Sequence, residues 1–302
     1  MSLVFSVPGK TFLAGEYLAL SGGPTLVFAS EPRFELTVEN GTGKHEEIHA
    51  DSPAGLFIRK HQDYFKAFDL KFNDPYQGKG GFGASTAQFL SVYAMNAWRE
   101  SVHHEPQQLL DYKHLLESYY EVAWNGQGTR PSGADLIGQL KGNLTLFEKS
   151  AGKISIMPWP FGDLDFALVH TGNKVATHEH LKSLGEFSTS SLEKAFAEIR
   201  HGLENHASDE VISGVNNYSQ ALQALGFTCA ETLVLLQETR QVPGVKAVKG
   251  CGALGADVIL VVFDKNHRSD LEKYLNTKNL SITASRSQMS AGLNVRAVRS
   301  SL

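Results

Sequence analysis

Cysteine is scarce in this sequence, which contains only Cys229 and Cys251 among its 302 residues. Two thiols cannot form a disulfide framework, and they are too few for a metal site built from cysteine. A reducing compartment suits such a chain. The twelve histidines include no H-E-x-x-H arrangement, so their pattern is more typical of surface or structural residues than of metal ligands.

Long apolar runs and an excess of positive charge are also absent. No stretch approaches the roughly 20 apolar residues that span a bilayer, and the first residues run into Pro8 and Gly9 without the pattern of an export signal. The net charge is −4, whereas a dedicated nucleic-acid binder carries a basic domain or stripe. We therefore expect a cytoplasmic protein with no membrane or nucleic-acid partner.

The length and composition are those of a globular protein with a large core. Of the 302 residues, 42% are hydrophobic and 20% are charged, which is enough for one large domain or two smaller ones. We expect two tightly joined lobes. The Pro- and Gly-containing segment 158–162 is the predicted boundary between residues 1–160 and 161–302.

The stretch GKGGFGASTAQFL, at residues 78–90, combines a glycine-rich loop with the start of a helix. Four glycines lie within six positions, and Ser85 and Thr86 follow them. Glycines let backbone amides approach a ligand, and a helix N-terminus favours an anion. The pattern indicates a phosphate-binding loop, although a glycine-rich surface loop with an ordinary Ser/Thr cap has the same composition.

Lys10 follows a predicted strand at residues 3–7 and lies in a predicted turn, Pro8-Gly9-Lys10. The string Gly-Lys-Thr is typical of the end of a P-loop, but that motif requires a glycine five residues before Gly9, and Val4 stands there. A P-loop is therefore excluded. Lys10 is either a cation for a ligand or a solvated turn residue.

Asp135 lies in the segment TRPSGAD (129–135), near the start of a new helix. An acidic residue after Ser-Gly often caps a helix, so this carboxylate is either a cap or a functional group. On the preceding predicted helix, Glu117 and Glu121 are four residues apart and share one face.

Residues 250–255 match G-x-G-x-x-G literally, but the match does not indicate a dinucleotide site. That motif must be entered by a strand and left by a helix, whereas the β-branched run 257–263 follows here. The glycines are predicted to join two strands. Together with predicted helices around 188–205, 209–225, 228–238 and 265–276, the second half has a ferredoxin-like pattern, finished by strands near 280–284 and 293–298.

Five stretches together resemble the GHMP kinase superfamily, which is named for galactokinase, homoserine kinase, mevalonate kinase and phosphomevalonate kinase. They are Pro8–Pro24 with its Gly15-Glu16-Tyr17, Gly80–Ala87, Pro131–Asp135, Thr171–Thr177 and Lys249–Asp257. Gly-Glu-Tyr is similar to phosphomevalonate kinases, whereas Pro-Ser-Gly-Ala-Asp is similar to mevalonate kinases. The resemblance therefore leaves these two acceptors open.

The resemblance implies an α+β fold with an N-terminal βαβ-type lobe, a ferredoxin-like C-terminal lobe, and ATP with Mg²⁺ between them. It implies that Lys10 and Asp135 are catalytic, with Asp135 facing the acceptor and Lys10 beside the transferred phosphoryl group. The implied nucleotide contacts are Gly80, Gly81, Gly83, Ala84, Ser85 and Thr86, of which Ser85 also ligates Mg²⁺. The implied acceptor contacts are Glu16, Tyr17, Ser132, Gly133, Lys174, Gly250 and Gly252, with Arg130 or Lys174 as an additional cation for a phosphorylated acceptor.

The sequence departs from the family pattern at several positions. Ala84 replaces the first of two serines, and Trp124 stands where mevalonate kinases have a Mg²⁺-binding glutamate. Glu121, one turn earlier, is the substitute that we predict as a metal ligand. The third loop contains Cys251, Ala253 and Leu254 in place of smaller residues. An ATP-dependent kinase of an isoprenoid precursor is the leading interpretation, and a non-catalytic nucleotide or metabolite sensor is the alternative.

Overall fold

The computed structural model describes residues 2–98, 111–172 and 185–298. The strands of this part of the chain are β1 (Ser2–Ala14), β2 (Pro24–Asn40), β3 (His45–Glu46), β4 (Phe68–Asn73), β5 (Leu144–Glu148), β6 (Lys153–Met157), β7 (Leu164–His170), β8 (Val245–Cys251), β9 (Val258–Asp264), β10 (Ile282–Ser285) and β11 (Asn294–Val298). The α-helices are α1 (Pro53–Lys60), α2 (Gln62–Phe65), α3 (Ala84–Trp98), α4 (Tyr112–Ala123), α5 (Ala134–Lys141), α6 (Ser190–Glu204), α7 (Ser208–Ala224), α8 (Ala230–Thr239) and α9 (Arg268–Thr277).

The first sheet is built on the two long antiparallel strands β1 and β2. Its order is β11-β1-β2-β4-β3, and the predicted hairpin of β5 and β6 joins through β2. The predicted turn at Pro8-Gly9-Lys10 is wrong, because β1 continues through it with a register shift between Pro8 and Gly9. A Cβ at Gly9 would lie 2.2 Å from the Tyr76 hydroxyl, so the strand needs a glycine there.

Residues 24–40 form the single long strand β2, and the short strand β3 (His45–Glu46) pairs parallel with β4. Helix α3 begins at the end of the glycine-rich loop, as predicted, and Phe89, Leu90, Val92 and Tyr93 of this helix are all buried. The helix packs on β1 and β2, and the loop before it contacts Lys10 of β1.

The second sheet is antiparallel, with the order β10-β7-β9-β8. Helices α6, α7 and α8 connect β7 to β8, and α9 connects β9 to β10. This arrangement is ferredoxin-like, which confirms the predicted α+β fold class and the predicted topology of this lobe. The sequence also predicts a helix from Ala176, a position that lies outside the described residues.

The final strand lies with the first sheet and not with the second. Strand β11 pairs antiparallel with β1, so that Ser2 faces Val298 and Ser6 faces Asn294. The prediction that this strand finishes the second lobe is wrong, whereas the division into 1–160 and 161–302 stays a prediction. One hydrophobic core runs through both lobes, and a smaller one lies on the other face of the second sheet. Within the described ranges, no helix is both long and apolar enough to span a bilayer.

Candidate active site

Lys10 of strand β1 and Asp135 of helix α5 contact each other. Their Nζ and Oδ2 atoms are 2.9 Å apart, and the two side chains are 10% and 30% exposed. Lys10 belongs to β1 and its backbone N–H donates to the Phe82 carbonyl at 3.0 Å, so it is not a solvated turn residue. Gly133, at φ 79°, precedes α5 and places Asp135 in the first turn of that helix.

The glycine-rich loop packs directly on the Lys10 side chain. Gly83 has φ +83°, and a Cβ there would lie 2.8 Å from Lys10 Cγ and 2.9 Å from Lys10 Cε. Phe82 is buried and stacks on Tyr76, with ring centroids 4.3 Å apart. The loop is therefore anchored on both sides, and its glycine leaves room for the lysine.

The first turn of α3 carries two hydroxyl groups with different environments. Ser85 is exposed, and no described residue forms a hydrogen bond with its side chain. Thr86 is buried, and its Oγ1 donates to Gln139 Oε1 at 2.7 Å. Ser85 can therefore contact an external ligand, whereas the Thr86 side chain is occupied within the protein.

Gln139 is a residue of the site that the sequence analysis missed. It is fully buried on α5, and its Nε2 donates to the Pro8 carbonyl at 2.9 Å and to the Gly83 carbonyl at 3.2 Å. One amide thus joins α5 to β1 and to the glycine-rich loop. The signal for it is a polar residue on the apolar face of a helix, where a buried amide needs partners.

The third glycine-rich loop, at residues 249–257, packs against the glycine-rich loop at residues 78–83. A Cβ at Gly80 would lie 2.6 Å from Asp257 Oδ1, and a Cβ at Gly81 would lie 2.7 Å from Val258 Cγ2. The loop joins strands β8 and β9, which confirms that its glycines connect two strands. Thr171 donates its backbone N–H to the Asp257 carbonyl at 3.0 Å, so residues of three distant motifs meet here.

Gly250 and Gly252 accommodate atoms of their own loop. A Cβ at Gly250 would lie 2.9 Å from Gly255 Cα, and a Cβ at Gly252 would lie 3.0 Å from Asp257 Oδ2. These contacts explain both glycines without a ligand. Their predicted contact with an acceptor stays a prediction.

The Glu16 carboxylate pairs with a lysine of the second sheet, and its predicted contact with an acceptor stays a prediction. Its side chain is 6% exposed and forms an ion pair with Lys249, which is fully buried on β8. Burial acts to lower the pKa of Lys249, but the neighbouring Cys251 and Glu16 outweigh it, and the pKa is raised above its ordinary value. This pair joins the end of β1 to the second sheet.

Tyr17 is buried beneath the third loop, and its predicted contact with an acceptor stays a prediction. It is buried, and its hydroxyl accepts a hydrogen bond from the Leu254 backbone N–H at 3.3 Å. Its ring stacks on Phe227 with centroids 4.2 Å apart. Burial raises the pKa of this phenol well above its ordinary value.

The Glu121 carboxylate contacts a surface lysine, and its predicted role as a metal ligand stays a prediction. Its carboxylate forms an exposed ion pair with Lys60, whose hydrogen bond and charge lower the pKa of Glu121. The Trp124 indole N–H donates to the Gln127 carbonyl at 2.9 Å. Within ranges 2–98, 111–172 and 185–298, no group of three or more His, Cys, Asp or Glu side chains is arranged to hold a metal ion.

Ser132 and Gly133 immediately precede helix α5, which carries Asp135 in its first turn. The Ser132 carbonyl accepts hydrogen bonds from Tyr120 Oη and Lys149 Nζ, each at 2.9 Å. A Cβ at Gly133 would lie 3.0 Å from Tyr120 Oη. Lys174, the other predicted acceptor contact, lies outside the described residues.

The sequence matches no protein-family model and no curated protein. Solved structures do match. The Streptococcus pneumoniae phosphomevalonate kinase in complex with phosphomevalonate and AMPPNP has a TM-score of 0.75 at 17% identity, over 93% of this chain and 98% of that one. The Methanococcus jannaschii mevalonate kinase has a TM-score of 0.72 at 14% identity, over 95% and 98%.

The protein has the GHMP kinase fold. Within this fold, the Lactococcus lactis galactokinase complexed with galactose is also similar, with a TM-score of 0.70 at 13% identity over 97% of this chain and 95% of that one. The resemblance that the motifs predicted is thus confirmed at the level of the fold. Because similar GHMP structures act on different acceptors, the fold does not identify the acceptor of this chain.

Proposed function

We propose that this protein is an ATP-dependent kinase that transfers the γ-phosphoryl group to a small isoprenoid precursor such as phosphomevalonate or mevalonate. The observation that carries the proposal is the contact between Lys10 and Asp135 beside the glycine-rich loop at 80–86. A cation, a carboxylate and free backbone amides at one place are the groups that phosphoryl transfer needs.

In this proposal the triphosphate lies along residues 80–86 and the N-terminus of α3. The positive φ of Gly81 and Gly83, together with the short Ala84 side chain, leaves the backbone accessible, and the helix dipole favours the negative charge. Ser85 supplies an exposed hydroxyl that fits a Mg²⁺ ligand. Bound with the nucleotide, Mg²⁺ would neutralise charge on the phosphates, and such a site needs few protein ligands.

Asp135 and Lys10 have complementary roles in the proposed reaction. Asp135 accepts the proton of the acceptor hydroxyl, or orients that hydroxyl towards the phosphorus atom. Lys10 lies within hydrogen-bonding distance of Asp135 and stabilises negative charge on the attacking oxygen and on the transferred group. Gln139 positions both partners, because it joins their two segments to the loop.

The proposed partner is a small-molecule acceptor, and the proposed location is the cytoplasm. The fold is shared with proteins that are named for phosphomevalonate and mevalonate, which supports this branch. The oligomeric state follows from none of these observations.

A non-catalytic nucleotide or metabolite sensor is the second candidate function. It is favoured by Glu121, which is engaged by Lys60, and by Leu254, whose backbone N–H is directed to Tyr17. These groups would otherwise be free for a metal ion or a ligand. Lys10 and Asp135 in contact favour the kinase.

ADP release from ATP, measured with phosphomevalonate and with mevalonate, tests the proposal. We expect one acceptor to support turnover, and we expect Asp135→Asn to lower kcat by about 100-fold or more. Asp209→Asn is the matched control, because Asp209 is an exposed acid in the first turn of α7. ATP binding without ADP release in the unmodified protein would instead support the sensor.

A further inference from the structure

A pair of basic side chains shares one aromatic ring beside the proposed acceptor site. The Nζ atom of Lys149 donates to Tyr120 Oη at 2.8 Å and lies 5.0 Å from the ring centroid. The guanidinium carbon of Arg130 lies 4.6 Å from the same centroid and 5.9 Å from the centroid of the Trp124 ring. We call Arg130, Lys149 and Tyr120 the basic cluster.

Neither cation of this cluster has an anionic partner in the part of the chain that the structure describes. Among residues 2–98, 111–172 and 185–298, neither side chain has a carboxylate within ion-pair distance, and Arg130 donates no hydrogen bond to a described residue. Burial lowers the pKa of Lys149, and the positive charge of Arg130 lowers it further. Two like charges held together in this way are stabilised when an anion binds between them.

The cluster adjoins the segment that leads into Asp135. The Ser132 carbonyl accepts from Lys149 Nζ and Tyr120 Oη, and Gly133 packs against the Tyr120 hydroxyl. Asp135 follows within the same turn. An acceptor whose hydroxyl faces Asp135 can therefore extend towards the basic cluster.

We propose that Arg130 and Lys149 form a phosphate subsite for an acceptor that is itself a phosphate monoester. This inference rests on the proposed function and narrows its substrate class. A phosphate monoester carries a charge of about −1.5 to −2, which matches two cations better than a single carboxylate does. The planar guanidinium, supported by Tyr120, leaves its donors available for bidentate contact with phosphate oxygens.

The experiment measures binding of phosphomevalonate and of mevalonate by calorimetry, without nucleotide, to the unmodified protein and to Arg130→Ala. We expect Arg130→Ala to weaken phosphomevalonate binding by about 10- to 100-fold, because a charge-assisted contact is lost, and to change mevalonate binding much less. Lys153→Ala is the matched control, since Lys153 is an exposed lysine on the neighbouring strand β6. Lys149→Met should repeat the effect if its thermal unfolding stays normal, and Arg130→Lys should restore part of the affinity.

The outcomes separate this inference from the proposed function. Unchanged phosphomevalonate binding in Arg130→Ala, or no binding to the unmodified protein, would overturn the subsite. Equal weakening of binding for both ligands would indicate that the cluster binds the carboxylate group of the acceptor, and would overturn the phosphate assignment. Selective weakening without any ADP release in the unmodified protein would support the subsite and refute the kinase. ADP release with an unchanged KM for phosphomevalonate in Arg130→Ala would support the kinase and refute the subsite.

Discussion

Replacing Gly83 by alanine tests whether the glycine-rich loop positions Lys10. Gly83→Ala introduces a methyl group 2.8 Å from Lys10 Cγ, 2.9 Å from Lys10 Cε and 3.0 Å from Gln139 Nε2. The backbone there has φ +83°, which is itself unfavourable for alanine. Gly78→Ala is the matched control, because Gly78 has φ +79° and nothing within 4 Å of an added Cβ.

The two variants share the backbone cost and differ in the steric clash. An alanine in the left-handed region costs about 1–2 kcal/mol, and we expect that loss for Gly78→Ala. Forcing a methyl group into a packed site costs about 1–3 kcal/mol more, so the free energy of unfolding should be lower by about that amount in Gly83→Ala than in Gly78→Ala. Because a displacement of about 1 Å of a catalytic group costs on the order of 100-fold in rate, turnover should fall only in Gly83→Ala.

Urea unfolding and ADP release measure the two effects separately. Equal unfolding free energies for Gly83→Ala and Gly78→Ala would refute the packing argument, and they would do so whether or not the protein is a kinase. A larger loss of stability in Gly83→Ala with normal turnover would show that the position of Lys10 does not limit the reaction.

Three further predictions concern buried polar groups. Gln139→Leu should lower the free energy of unfolding by about 1–3 kcal/mol because the Pro8 carbonyl loses a buried amide donor, whereas Gln88→Leu, which removes one exposed hydrogen bond, should have little effect in the same urea titration. Glu16→Gln should lower the free energy of unfolding by about 3–5 kcal/mol, because it leaves the buried ammonium of Lys249 without its charged partner. Adding Lys249→Met should recover much of this loss, and no recovery would refute the pairing. Burial, and then a nearby lysine, lower the pKa of His170, so the unfolded chain binds a proton at this residue more readily than the folded one. The free energy of unfolding should therefore fall as the pH drops below about 6.5. Urea unfolding at about pH 7.5 and about pH 5.5 measures this fall, which should be smaller in His170→Asn.

The proposed catalytic pair is the most predictable part of the candidate site. Lys10 and Asp135 lie in motifs that resemble the GHMP kinase superfamily, and the structure brings them into contact. Their residue types fit what phosphoryl transfer requires. The local structure around Lys10 was less predictable, since Pro8 and Gly9 are typical of a turn. Here the sheet accommodates them as an irregularity, and the Tyr76 hydroxyl fills the space beside Gly9.

Residues whose roles depend on distant partners were not predictable. The motif of Glu16 predicts a contact with the acceptor, but it does not predict the ion pair with Lys249, more than two hundred residues away. Gln139 belongs to no motif, and its importance appears only when β1 and the glycine-rich loop are placed on either side of it. The topology of the second lobe is more predictable, because its alternating strands and helices are visible in local sequence patterns.

The pairing of β11 with β1 has a consequence for how the protein is made. Ser2 can pair with Val298 only after the whole second sheet has been synthesised. One edge of β1, the strand that carries Lys10, therefore stays unpaired during the synthesis of later segments, and an unpaired strand edge promotes aggregation of a nascent chain. Conditions that slow translation of the last hundred or so residues should accordingly reduce the yield of folded protein more than they reduce the yield of polypeptide.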